Sequence, residues 1–217
     1  MTGPTITEII DSAVAIIGLP ETLMRDLLKE DDWSFVIKTH ALLEAAVTFS
    51  LTSLTDQKLA SNFERLPFNE QAFGKVSFLA SLAEIDKETI TFLRYFSELR
   101  NKLAHNIRYA NFTFAAHAKT LDKHQRANYQ TFCAFYSRQY PGESRTDALA
   151  KAIDSAKVDI YFGALQVLLS LVSQYLRSED SRSLRQETDE SRAGSLSTVW
   201  NDASGLGAGA GTEGAGD

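Results

Sequence analysis

Residues 146–177 read TDALAKAIDSAKVDIYFGALQVLLSLVSQYLR, and this stretch decides the fold class. Its apolar side chains recur at steps of three and four residues, at Leu149, Ile153, Ala156, Ile160, Ala164, Val167, Leu171 and Tyr175. An α-helix has about 3.6 residues per turn, so this spacing places them on one helical face. We therefore predict a long amphipathic helix from Thr146 to Arg177.

The sequence upstream has the same helical spacing and lacks the alternating pattern that is typical of β-strands. All four prolines fall where helices are expected to begin or end. The predicted helices span residues 5–17, 21–29, 33–54, 70–83 and 86–106, followed by a partly helical, aromatic-rich region at 111–138. Asp86 is the predicted N-cap of its helix, with Thr89 in the first turn. The expected fold class is all-α.

The character of the chain changes after Arg177, where Ser, Glu, Asp and Gly dominate. Seven of the 12 glycines lie in residues 178–217. Such a composition buries too little apolar surface to offset the entropy of ordering the chain. We predict one helical domain at residues 1–177 and a flexible tail at 178–217. The tail has a net charge of −5, so it carries most of the chain's net charge of −6.

Composition excludes several classes of protein. The chain has 217 residues and one cysteine, Cys133, which rules out an intramolecular disulfide framework and a cysteine-rich zinc module. Cys133 stands between Phe132 and Phe135, so we expect a buried, unreactive thiol. The N-terminus lacks the pattern of a signal peptide, and the most apolar stretch, residues 160–173, is short for a membrane span. A cytoplasmic protein without a membrane partner is expected.

The motifs of common cofactor and metal sites are absent, including glycine-rich phosphate loops and His-Glu-x-x-His helices. We therefore expect no metal and no cofactor. The distinctive stretch is FSELRNKLAHN at residues 96–106. On an ideal helix its leucines and phenylalanine share an apolar side, and the adjacent side presents Arg100, Asn101 and His105. Asn101 and His105 are four residues apart, so we expect the amide to orient the imidazole.

These three side chains suit phosphodiester chemistry. Arg100 offers a permanently charged donor fork that matches a phosphate group. Histidine is the usual acid–base residue of enzymes, so His105 is the candidate to take a proton from a ribose 2′-hydroxyl and return one to the leaving oxygen. No metal is needed when the RNA supplies its own nucleophile. The spacing alone is weak, because a structural arginine and a packed histidine give the same pattern.

The wider segment, residues 94–126, carries seven Lys or Arg residues against Glu98 and Asp122, a net charge of +5. Histidines and aromatic residues are interleaved with these bases, at His105, His117, His124, Tyr109, Phe112 and Phe114. Positive charge attracts phosphates and aromatic rings stack on bases, so this composition favours RNA binding. Lys102, Arg108 and Tyr109 are the candidate substrate-binding residues. The alternative is a solvated helix face with core aromatics behind it.

The motif LRNKLAH at residues 99–105 resembles the signature of the HEPN superfamily, an Arg followed by four to six residues and a His. Within that superfamily the chain is most similar to the mannitol-operon repressor-like and related uncharacterised groups. The stretches FGKVSFL at 73–79 and HALLE at 40–44 fit their layout too. The similarity covers residues 33–177.

The resemblance implies a HEPN-like helical bundle that forms a homodimer, with two Arg/His pairs in one composite cleft. It also implies a metal-independent endoribonuclease that leaves 2′,3′-cyclic phosphate ends, with Arg100 holding the phosphate, His105 as acid and base, and Asn101 as orienter. Some relatives are toxins neutralised by an antitoxin partner. Toxins controlled by tyrosine modification carry Tyr two residues after the His, whereas this chain has Ile107.

Other relatives implied by the resemblance are regulators without shown catalysis. A non-catalytic regulator that binds protein or nucleic acid is therefore the alternative function. His40 and Glu44 share a helix face at i,i+4 spacing, for which a plain structural pair is the favoured interpretation.

Overall fold

The computed structural model of the protein describes residues 3–55, 57–83, 85–136 and 153–205. These residues form nine α-helices, two 3₁₀ turns and no β-strand, which confirms the all-α class. The helices are α1 Ile6–Ile16, α2 Leu23–Leu27, α3 Asp32–Leu54, α4 Ala60–Arg65, α5 Lys75–Leu82, α6 Lys87–Ala104, α7 Phe114–Thr120, α8 Lys123–Cys133 and α9 Ala156–Gly205. The 3₁₀ turns are Gln57–Leu59 and Ile107–Tyr109.

Helix starts follow the polar caps in the sequence. Thr5 caps α1 in a reciprocal capping box with Glu8. Asp86 caps α6, because its carboxylate accepts hydrogen bonds from the Thr89 N–H at 2.6 Å and the Thr89 hydroxyl at 3.0 Å. The predicted N-cap of α6 is therefore confirmed. Its predicted end, Asn106, lies two residues beyond Ala104, where the helix stops.

The helix predicted at 70–83 begins only at Lys75. The Glu70 carboxylate accepts the N–H groups of Ala72 and Phe73 at 2.8 and 2.7 Å, which closes a turn before the helix. Gly74 completes this turn, since a Cβ there would lie 2.3 Å from the Glu70 nitrogen. Local side-chain bonds thus replace the first helical turn expected from the periodicity.

The core is centred on α3, which packs against α4, α5 and α6. Aromatic rings fill the space beside α6, where Phe92 stacks on Phe135 at 4.5 Å and on Phe132 at 5.1 Å between ring centroids. The same core includes the apolar face of α9 from Ala156 to Val172. Gly163 lets α9 approach, because a Cβ at this position would meet the Phe135 and Phe92 rings at 3.0–3.2 Å. Cys133 is buried, and burial raises the pKa of its thiol to about 12, as expected for an unreactive cysteine.

Helix α9 differs from the prediction at both ends. Residues 137–152 lie outside the described residues, and Ile153–Ser155 form a turn, so the described helix starts at Ala156 rather than Thr146. It continues to Gly205, so the predicted helix end at Arg177 is wrong, whereas the flexibility of residues 178–217 stays a prediction. Prolines are absent from this span and Gly194 is its one internal glycine, which leaves the helix uninterrupted. Residues 206–217, with five more glycines, lie outside the described residues.

The chain divides into two compact units, Met1–Tyr175 and Leu176–Asp217. Within the described residues, Asp32–Leu54 and Ala156–Ser181 are long and apolar enough to cross a membrane by length and composition. In both helices, slightly more than half of the apolar window is buried inside the protein, and core helices pass the same test. The apolar part of α9 is therefore longer than residues 160–173, the stretch that the sequence alone indicates. The absence of a membrane partner stays a prediction.

We expect Phe92→Ala to lower the free energy of unfolding by about 3–5 kcal/mol, because the lost ring leaves a cavity among Phe96, Phe132 and Phe135. Urea unfolding followed by circular dichroism measures the change. Phe73→Ala is the matched control, since Phe73 is exposed on the turn before α5. Equal effects of the two substitutions would contradict the assigned core.

Candidate functional site

The end of α6 carries the candidate catalytic residues. Arg100 and Asn101 occupy the last helical turn, and His105 is the C-cap residue. Arg100 is half-buried, whereas Asn101 and His105 are exposed. The three candidate catalytic side chains therefore stand at the solvent boundary of one helix end, where a phosphate has access to them.

Asn101 bonds to Arg100 rather than to the His105 ring. The Arg100 guanidinium donates a hydrogen bond of 3.0 Å to the Asn101 Oδ1. The His105 N–H donates to the Asn101 backbone carbonyl at 3.2 Å. No hydrogen bond joins the Asn101 amide to the imidazole among the described residues. The Asn101 amide therefore holds the Arg100 guanidinium instead of the expected His105 imidazole.

Of the candidate substrate-binding residues, Lys102 and Tyr109 come together. The Lys102 Nζ lies 5.3 Å from the centre of the Tyr109 ring, within range of a cation–π contact. Tyr109 ends the second 3₁₀ turn, which starts when the Asn106 side chain accepts the Arg108 N–H at 3.0 Å. Lys102 and Arg108 are exposed, so the last turn of α6 and this 3₁₀ turn present two cations beside His105.

The other histidines of the basic segment have different environments. His124 is exposed on α8. His117 is buried against the rings of Phe112 and Tyr129, at centroid distances of 5.6 and 5.4 Å. Burial, with a smaller effect of the Lys102 charge, lowers the pKa of His117 to about 4. His117 is thus a neutral core residue near neutral pH and adds nothing to the positive charge of the surface.

A second polar cluster lies on the side of α6 that faces α3 and α5. It consists of His40, Glu44 and Lys75. Lys75 is only 3% exposed, and its Nζ bonds to the Glu44 Oε1 at 2.8 Å. The His40 Nδ1 lies 3.9 Å from the Glu44 Oε2. The His40 ring stacks on Phe96 and meets the edge of Phe68. The sequence indicates His40 and Glu44 as a structural pair but does not indicate Lys75, whose position before an apolar run predicts an exposed helix start.

Two features of this cluster are unusual for a protein core. A lysine is rarely buried to this extent without a strong reason, because removing its charge from water is costly. In addition, the His40 Nε2 is buried and has no hydrogen-bond partner among the described residues. Burial, followed by the charge of Arg100, lowers the pKa of His40 to about 4, against a smaller opposing effect of Glu44. The Arg100 charge therefore acts on the buried cluster as well as on the exposed helix end.

Within the described residues, no group of three or more His, Cys, Asp or Glu side chains is placed to hold a metal ion.

The depressed pKa values of His40 and His117 predict that stability falls as the pH is lowered. Both rings are neutral in the folded state down to about pH 4, whereas an unfolded histidine takes up a proton near pH 6.5. Between pH 7.5 and pH 5 we expect each histidine to reduce the free energy of unfolding by about 2 kcal/mol. Urea unfolding at a series of pH values measures this loss.

His40→Gln should remove about half of the loss in the free energy of unfolding, because one of the two buried histidines is gone. His124→Gln, at an exposed site, should leave the loss unchanged. A pH profile of His40→Gln identical to that of the wild type would show that His40 is not held neutral by the fold.

Comparisons of the chain with protein-family models, with curated proteins and with solved structures found no match.

Proposed function

We propose that the protein is a metal-independent endoribonuclease of the HEPN type, acting in the cytoplasm in a toxin or defence setting. The observation that carries the proposal is the solvent-accessible end of α6, where the half-buried Arg100 and the exposed His105 flank Asn101. Lys102 and Arg108 add positive charge beside them. An RNA phosphate would be attracted to this helix end by a field that is local to it, even though the whole chain is acidic.

In the proposed reaction His105 accepts the proton of a ribose 2′-hydroxyl. The 2′-oxygen forms a bond to phosphorus as the bond between phosphorus and the 5′-oxygen breaks, and the protonated His105 returns its proton to the departing 5′-oxygen. The Arg100 guanidinium binds the phosphate oxygens and stabilises the negative charge of the transition state. Asn101 holds the guanidinium through its 3.0 Å bond and so acts as a positioning residue. The products are a 2′,3′-cyclic phosphate and a 5′-hydroxyl.

A homodimer completes the proposed cleft. On an ideal helix Arg100 and His105 are about 140° apart around the axis, so one protomer presents them on different sides. The Arg100 side faces the buried cluster on α3 and α5, as its effect on the pKa of His40 shows. Ile107, two residues after His105, is 88% exposed. A second copy of the chain covering Ile107 would bring the arginine of one protomer towards the histidine of the other.

Cleavage of structured RNA in the presence of EDTA tests the catalytic proposal. We expect the wild type to cleave and His105→Ala to lose at least about a hundredfold in rate, since a general acid–base group contributes about 10²–10⁴-fold. His124→Ala is the matched control, because it removes an exposed histidine from the same basic segment. Equal cleavage by the wild type and His105→Ala would refute the proposed role, as would the absence of cleavage by the wild type.

Light scattering at micromolar concentration tests the composite cleft. The wild type should be a dimer, and Ile107→Asp should shift it towards monomer and slow cleavage, because a charge at a buried contact is costly. Ile6→Asp is the control, since Ile6 is 77% exposed and begins α1, near the N-terminus. A monomeric wild type that cleaves RNA at full rate would contradict the dimer.

The second candidate function is a non-catalytic HEPN-fold regulator that binds a protein, such as an antitoxin or a transcriptional component. The observation that favours it is a set of exposed apolar side chains around α5, at Phe73, Phe78 and Leu82. Such side chains often mark a protein interface. If biological activity survives His105→Ala and is lost in Phe73→Ser, the regulator is the better description.

A further inference from the structure

A groove runs along α6 on the side that faces α7 and α8. It consists of two adjoining cavities of about 420 and 260 Å³, and both are lined by Tyr95, Glu98 and Asn128. The larger cavity continues to Glu88 at the start of α6, and the smaller one reaches Lys102 near its end. Cavities of this size accommodate a group as large as a nucleobase.

Aromatic rings line the inner side of the groove, and Arg94 also lines the larger cavity. Tyr95 stacks on Phe132 with ring centroids 4.6 Å apart and an angle of 22° between the planes. Phe92, Phe132 and Phe135 are almost wholly buried, so the partly exposed Tyr95 is the ring of this stack that a ligand can reach. Burial raises the pKa of Tyr95 to about 12, so its hydroxyl stays neutral near neutral pH. Stacked aromatic rings are the usual platform for the bases of single-stranded nucleic acid.

The side chains of Glu98 and Asn128, which are both exposed, supply hydrogen-bonding groups to the groove. The Glu98 carboxylate makes no ion pair or hydrogen bond with any residue that the structure describes. An ionised carboxylate is an acceptor only, with two oxygens side by side. It therefore selects a base edge that presents two adjacent donors, as the N1–H and N2–H groups of guanine do. Adenine and cytosine place a ring acceptor beside their amino donor, and uracil places carbonyls on either side of one donor.

The groove is close to the proposed cleavage site. On an ideal helix Glu98, Lys102 and His105 lie within about 60° of one another around the axis of α6, on the side away from Arg100. Glu98 and His105 are separated by about 10 Å along that axis. Lys102, which lines the smaller cavity, stands between them. An RNA strand whose base enters the groove therefore has its backbone beside Lys102 and His105.

We propose that this groove binds a guanine base of single-stranded RNA next to the scissile phosphate, with Glu98 accepting the two donors of its Watson–Crick edge and the Tyr95–Phe132 stack supporting its face. The proposal rests on the proposed function for its place beside a cleavage site. It gives the enzyme a sequence preference, which the Arg100/His105 pair alone does not supply, because phosphate contacts carry no sequence information.

Binding is tested without cleavage by using 2′-O-methyl hexanucleotides, whose blocked 2′-hydroxyl prevents the proposed reaction. Fluorescence anisotropy of labelled UUGUUU and UUAUUU with the full-length wild type should show about tenfold tighter binding of the guanine-containing strand. Glu98→Gln should remove this preference, because a Gln amide presents one acceptor and one donor in place of two acceptors. Glu64→Gln, an exposed substitution on α4, is the matched control and should retain it.

The outcomes separate this proposal from the function on which it rests. Equal binding of the two strands by the wild type, or a guanine preference that persists in Glu98→Gln, would overturn the groove proposal whether or not RNA is cleaved. Failure of both strands to bind at millimolar protein would overturn it as well. A Glu98-dependent guanine preference in a protein that cleaves no RNA would support the groove and count against the nuclease.

Discussion

The ion pair between Lys75 and Glu44 is the contact on which the position of the candidate site depends. It joins α5 to α3 at 2.8 Å, and the lysine end is almost wholly buried. A buried ammonium group without a partner destabilises a fold strongly, so α5 has to dock where Glu44 can reach it. His40, one turn earlier on α3, then lies between this pair and Phe96 of α6. The register of α3, α5 and α6 is thus tied to one polar cluster.

The surroundings of Arg100 follow from this arrangement of helices. It follows Phe96 by four residues, so it lies one turn further along the side of α6 that meets the His40 ring. Lys75 and Arg100 outnumber Glu44 in charge, and the pKa of His40 is lowered so that it adds no further proton near neutral pH. Lys75, Arg100 and Glu44 therefore sum to a charge of +1 around a neutral His40 ring.

The two sides of α6 have different chemistry. One side faces α3 and α5 and carries Arg100 above the buried charges. The other faces α7 and α8 and carries Glu98 and Lys102 along the aromatic groove. His105 stands at the end of the helix, where it caps the last turn. In the proposed function, this one short segment of sequence would supply the phosphate-binding group, the acid–base group and the base-binding surface.

Much of the fold was predictable from local pattern, because apolar periodicity and polar caps act over a few residues. The helices at Asp32–Leu54 and Lys87–Ala104 and the Asp86 cap are examples. Two kinds of error have physical causes. The predicted start of α5 is too early because the Glu70 carboxylate bonds to the backbone N–H groups of the following turn. Apolar periodicity does not reveal such hydrogen bonds. The predicted end of α9 is too early. The glycine content of residues 178–217 indicates a break there, but five of the seven glycines in this range lie beyond Gly205, where the helix ends.

The candidate site was predictable in part. The residues at 100, 101 and 105 share one helix end, as their spacing indicates, and Lys102 meets Tyr109. The burial of Lys75 and of His117 was not predictable, since it results from the docking of helices distant in sequence. The bond from Arg100 to Asn101 depends on which of several rotamers packing leaves open, and the sequence does not determine that.

The chemical identity of the RNA ends tests the central claim most directly. Mass spectrometry of fragments produced by the purified protein in EDTA should find 2′,3′-cyclic phosphates paired with 5′-hydroxyls, and these products should disappear in His105→Ala while persisting in His124→Ala. Fragments with 3′-hydroxyls and 5′-phosphates would contradict the account, because they require water rather than the 2′-hydroxyl as the nucleophile.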